Sequence, residues 1–193
     1  RRGGASTSRP TVGILRQQIE RVGEEYSHDG IYEEATNDAV ELATRLFRPL
    51  TPQETELIKK MKRWAETASA RMDNKTKELL KWLEQIVKPD GKWSPSGERV
   101  IIFTEYRATQ NWLQTIFAAK GLASEDRLMT LYGGMEDDKR EAIKAAFQTS
   151  PDKSSVRILL ATDAASEGID LQNYCHRLIH FEIPWNPNRL EQR

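Results

Sequence analysis

Apolar residues along this chain change their spacing once, and the change divides it in two. Up to residue 98 they recur every three or four positions, the period of one helix face. Val12, Leu15, Ile19, Val22 and Tyr26 form the first such stripe, with Gly13 and Gly23 weakening that helix. Residues 33–47 are expected to bury Ala39, Val40, Ala43, Leu46 and Phe47 on one side. Thr51 and Pro52 predict the next helix start, with Thr as cap and Pro in the first turn. Its apolar face is Leu57, Ile58, Met61, Trp64, Ala65 and Ala68. Asp73 predicts another cap, followed by Leu79, Leu80, Leu83, Ile86 and Val87 facing inward. A Pro/Gly-rich run over 88–98 closes the region.

Beyond residue 98 the apolar positions form short unbroken runs at 100–103, 128–131, 158–161 and 178–181. Runs this short predict strands buried on both faces. Helical spacing returns between them, at Trp112, Leu113, Ile116 and Phe117, and again at Ala142, Ile143, Ala146 and Phe147. Gly121 is placed to end the first of these helices. This alternation predicts an α/β fold, a parallel sheet with right-handed crossovers over 99–193. An all-helical segment with a flexible start, 1–98, precedes it. Ligands of such sheets sit at the carboxyl ends of the strands. The loops at 104–107, 132–135 and 162–170 are therefore the candidate site.

Charge narrows the chemistry. Lys+Arg and Asp+Glu are both 29, and the halves hold 17 basic with 16 acidic and 12 basic with 13 acidic residues. Neither half is a bulk basic nucleic-acid module, so any grip on a phosphate backbone must come from a few placed donors. Cys175 is the single cysteine, which excludes an internal disulfide and a cysteine zinc cluster. No apolar run approaches the length of a membrane span, and the N-terminus lacks an apolar signal core. A cytoplasmic location is expected. His28, His176 and His180 form no recognisable metal set and are read as structural, so no metal site is expected. Trp185, between prolines, reads as a buried aromatic rather than a base-stacking platform.

Four segments, in order, resemble the superfamily 2 helicases and translocases. RVIIFTEY at 99–106 is similar to their fourth motif, and LYGGMEDDKREAIKAAF at 131–147 to the segment that follows it. ATDAASEGIDLQ at 161–172 is similar to the fifth motif, and PWNPNRLEQR at 184–193 to the lead into the sixth. The last wording is nearest to the Swi/Snf-related translocases, especially the RapA-like branch. The resemblance implies a RecA-like C-terminal lobe of an ATP-driven helicase or translocase. It also implies a chain truncated within the sixth motif, with catalytic arginines further downstream and no complete catalytic set here. Arg1 in place of Met is expected of a portion of a longer protein.

The resemblance also assigns residues. Thr104, Gly133, Gly134, Arg140 and Thr162 are implied to face a nucleic-acid backbone, with duplex DNA the expected partner. Glycines let backbone N–H groups approach a phosphate, though Gly133-Gly134 is equally a turn. Arg140 near a helix start favours an anion, or an ion pair with Glu136 or Asp137. Thr162 can cap a helix and donate to phosphate at once. Gly168, Asp170, Gln192 and Arg193 are implied to border the nucleotide. Asp170 would accept ribose hydroxyls, or cap a local turn. No GxxxxGK[ST] phosphate loop occurs. ATP and Mg²⁺ are therefore expected to be handled with a separate first RecA-like lobe, and the 193-residue chain alone is expected to be inactive. The rival readings are a non-catalytic partner-binding scaffold, docking a protein on the helical segment, and a Rossmann-like small-molecule enzyme. The latter lacks its GxGxxG loop.

Overall fold

The computed structural model describes residues 29–44, 48–69, 71–163, 172–184, 187 and 191. The stripe at 12–26 lies outside them, as do Leu46, Phe47 and Trp185. The chain divides into two compact units, with Ile31–Thr76 in one and Lys77–Arg193 in the other.

The first unit is helical. Helix α1 spans Asp29–Thr44 and α2 spans Pro52–Ser69. A reciprocal capping box begins α2. The Glu54 amide donates to Thr51 Oγ1 at 3.3 Å, while the Thr51 amide donates to Glu54 Oε2 at 2.8 Å. Arg48 grips the same carboxylate with two guanidinium nitrogens, at 2.9 and 2.7 Å. These bonds, the Arg48 pair first, hold the Glu54 carboxyl down at about 2. Leu57, Ile58, Met61 and Trp64 are exposed, Trp64 to 73%, and no described residue of α2 is buried. In α1, Ala39 is buried but Val40 is exposed.

Helix α3 spans Asn74–Val87 and belongs to the second unit from Lys77 onward; the Asp73 carboxylate caps it, accepting the Thr76 amide at 2.7 Å. Leu79, Leu80, Leu83 and Val87 are buried. Residues 88–98 then fold back as a tight loop. The Ser94 amide donates to the Val87 carbonyl at 2.9 Å. Trp93 lies beneath two cations, Lys88 Nζ at 5.3 Å and the Arg127 guanidinium at 5.1 Å from its ring centre. The loop lies inside this compact unit, because α3 and the sheet share it.

Four strands follow: β1 Val100–Thr104, β2 Leu128–Leu131, β3 Ile158–Thr162 and β4 Leu178–His180. All pair in parallel, in the order β2-β3-β1-β4. The central strands β1 and β3 are buried along their whole length, as their unbroken apolar runs require. The edge strands β2 and β4 are only partly covered. Helix α4, Arg107–Ala119, lies against β1 and β3 and buries Leu113 and Phe117. It ends in paired backbone bonds, Leu122 N–H to Phe117 O at 2.9 Å and Gly121 N–H to Ala118 O at 3.0 Å. Gly121 there has φ +69°, the left-handed conformation that glycine adopts without strain. Helix α5, Asp137–Gln148, contributes Ile143, Ala146 and Phe147 to a core with Ile101, Phe103, Leu131, Leu159 and Ala161.

Arginines stand immediately before all four strands: Arg99, Arg127, Arg157 and Arg177. Three of them brace the turn between α5 and β3. Arg99 donates to the carbonyls of Phe147 and Val156, Arg127 to Ser155, and Arg157 to Pro151, Ser154 and Val156. Burial pushes the Arg99 and Arg157 guanidinium groups below the usual arginine range. Among the described residues, no helix is long and apolar enough to cross a membrane.

Candidate nucleic-acid interface

The candidate loops leave one edge of the sheet, since every strand is parallel. Thr104 and Thr162 end β1 and β3 side by side in register. Both are buried. The Thr104 hydroxyl turns inward, toward the carbonyls of Ala161 at 3.4 Å and Tyr106 at 3.5 Å. Gly133 is buried, and Gly134 is exposed with φ +81°. Arg140 is half-buried and is the fourth residue of α5. Its amide bonds the Glu136 carbonyl at 3.0 Å, within the first helical turn. Glu136 itself pairs with Lys139 at 2.8 Å, which draws its carboxyl below the usual range. Thr104, Gly133, Gly134, Arg140 and Thr162 thus all lie at the carboxyl edge or on the helix that follows it. Gly168, Asp170, Gln192 and Arg193 lie outside the described residues.

The same edge carries three side chains that motif spacing does not reveal. Arg107 opens α4, directly after the β1 loop. Its guanidinium lies over the Tyr132 ring, 3.4 Å from the ring centre, and donates to Gln110 Oε1. Tyr132 follows β2, so the stack joins residues after β1 and β2, the two strands that flank β3. Gln110 is fully buried and completes the tie. Its Nε2 donates to the Leu160 carbonyl at 2.6 Å and the Leu131 carbonyl at 2.9 Å. One residue thereby binds α4 to the ends of β2 and β3. Its place on the apolar stripe, three before Leu113 and seven before Phe117, was the available signal. Glu182, beyond β4, accepts the Glu105 amide at 2.7 Å and the Thr109 hydroxyl at 2.9 Å. It anchors the start of α4 from the other side of the sheet.

Among the described residues no group of three or more His, Cys, Asp or Glu side chains is placed to hold a metal. The sequence model of the helicase conserved C-terminal domain matches residues 75–193. The chain belongs to this family. Its sheet is the RecA-like C-terminal lobe of a superfamily 2 helicase, preceded by a helical segment. The match includes α3, which begins before the strands do.

Three relatives mark out the neighbourhood of this helicase lobe. An uncharacterized ATP-dependent helicase YqhH of Bacillus subtilis (strain 168) is 42% identical over 96 residues, 50% of this chain and 15% of the relative. The ATP-dependent RNA helicase DRS1 of Phaeosphaeria nodorum is 37% identical over 87 residues, 45% of this chain and 10% of the relative. The RNA polymerase-associated protein RapA of Yersinia pestis is 29% identical over 97 residues, 50% of this chain and 9% of the relative. The matched stretch thus spans 15% or less of these relatives' own lengths.

Proposed function

We propose that this lobe grips a nucleic-acid backbone and forms one wall of an ATP cleft in an ATP-dependent helicase or translocase. The observation that carries the reading is that the carboxyl ends of β1, β2 and β3 lie at one sheet edge in a chain of this family. Gly133, Gly134, Arg140 and Thr162 supply the grip on phosphates, and Thr104 braces the end of β3 beneath them. Gly168, Asp170, Gln192 and Arg193 border the nucleotide. A first RecA-like lobe supplies the phosphate loop and the carboxylates for Mg²⁺, and its closure moves the grip along the strand. Base identity matters little, because backbone contacts carry no sequence information. Duplex DNA is the proposed substrate, on the resemblance of residues 184–193 to Swi/Snf-related translocases. The kinship with an ATP-dependent RNA helicase makes RNA the necessary comparison.

The test is anisotropy binding of labelled duplex DNA and single-stranded RNA to the protein, with Arg140→Ala and Thr162→Ala beside wild type. Both variants are expected to weaken binding, DNA more than RNA. Wild-type affinity in both folded variants would overturn the assignment. A partner-binding scaffold is the second reading, and the exposed face of Leu57, Ile58, Met61 and Trp64 on α2 favours it. It predicts nucleic-acid affinity indifferent to Arg140.

A further inference from the structure

The Arg107–Tyr132–Gln110 arrangement does more than close a polar network. A guanidinium offers five N–H donors in a flat fork. Here one face lies on Tyr132 and one nitrogen is taken by Gln110. No other protein acceptor takes the remaining N–H groups among the described residues, and none of these nitrogens is sealed from solvent. Glu182, the carboxylate at the start of α4, accepts the Glu105 amide and the Thr109 hydroxyl, and no ion pair joins Arg107 to a described carboxylate. Arg107 is thus a cation held rigid but not neutralised.

We propose that Arg107 is a further phosphate-binding residue of this lobe, contacting a phosphodiester oxygen of the bound strand, and that Gln110 is its positioning residue. This rests on the nucleic-acid reading above. Position supports it. The stack connects the loops that flank β3, beside Gly133 and Thr162. Chemistry supports it too. A guanidinium fork matches two phosphate oxygens, and a fork frozen in advance loses little rotamer entropy on binding. Gln110 does the freezing. Its own amide is fixed by two strand carbonyls, so its Oε1 has a set direction. Thr104, by contrast, has its hydroxyl turned inward, which leaves Arg107 as the cationic donor of the β1 loop.

The experiment uses the 193-residue chain and a short fluorescein-labelled duplex DNA, with a single-stranded RNA of the same sequence as the second arm. Affinity is read by anisotropy across a salt series, and folding by thermal melting. Arg107→Ala is expected to weaken binding about tenfold and to reduce the slope of log affinity against log salt by about one. Its melting temperature should stay near wild type. Arg107→Lys should keep the slope and recover part of the affinity, because charge remains but the fork is lost. Gln110→Met should weaken binding while leaving the slope intact, since Arg107 keeps its charge but loses its orientation. Arg140→Ala separates the two proposals. If it weakens binding and Arg107→Ala does not, Arg107 is only a structural stack, and the nucleic-acid reading survives. If neither variant weakens binding to DNA or RNA, both readings fall. A lowered melting temperature with an unchanged slope in Arg107→Ala would also overturn the phosphate contact.

Discussion

Arg99 is an arginine buried to 1% exposure whose described donations go to backbone carbonyls. It lies over the Phe147 ring at 5.3 Å, and one terminal nitrogen is buried without a partner. A guanidinium this dry is costly unless its neighbours need it. Here they do, because removing it takes the donor from the Phe147 carbonyl and leaves the Val156 carbonyl with Arg157 alone. Arg99→Ala leaves a cavity and an unpaired Phe147 carbonyl. It should lower stability by about 3 kcal/mol, read from urea unfolding. A loss under about 1 kcal/mol would mean that the turn between α5 and β3 satisfies itself. Arg99 was not legible as a buried residue, and Gln110 only through its place on the α4 stripe; neither one's bonding partners were legible. Each is polar, and burial of a polar side chain depends on partners distant in sequence, such as Val156 and Leu160, which local patterning cannot supply.

Elements were more legible than their partners. The α2 start follows from Thr51, Pro52 and Glu54, because a capping box is local chemistry. Its pH behaviour follows from the same bonds. The Glu54 carboxyl is held at about 2, below its ordinary value of 4.5. Its contribution is full above the ordinary value and is lost as pH falls toward 2. A carbon-13 NMR titration should find the Glu54 midpoint near 2. A midpoint in the ordinary carboxyl range would mean that the Arg48 and Thr51 bonds do not persist. The same helix shows where periodicity stops. A stripe of Leu57, Ile58, Met61 and Trp64 fixes which face is apolar, not that something covers it. The 88–98 loop offers a second test. Gly97 has φ +70°, and a Cβ there would collide with the Cβ of Pro151. Gly97→Ala should therefore lower the melting temperature by more than the roughly 1 kcal/mol of backbone strain alone implies. Melting indistinguishable from wild type would mean that the loop does not seat on Pro151.

At the scale of the molecule, the parallel sheet was readable because its central strands are apolar on both faces, which forces helices onto each side. Strand limits came within about a residue, β4 ending at His180 where 181 was expected. The carboxyl edge followed from topology alone, and four of the five positions that the family resemblance assigns to the backbone, Thr104, Gly133, Gly134 and Thr162, lie in its loops or at its strand ends. Arg107 escaped motif spacing because its role depends on Tyr132, on a loop two strands away. The central claim divides the lobe's work between gripping a strand and lining a nucleotide cleft. Its most direct test is nucleic-acid-stimulated ATP hydrolysis by protein containing both lobes, titrated against duplex DNA for Arg140→Ala and Asp170→Ala. Arg140→Ala should raise the DNA concentration needed for half stimulation by about tenfold, as a lost charged phosphate contact does. Asp170→Ala should depress the rate at saturating DNA and leave that concentration nearly unchanged. Wild-type titrations from both folded variants, or the same defect in each, would contradict the division.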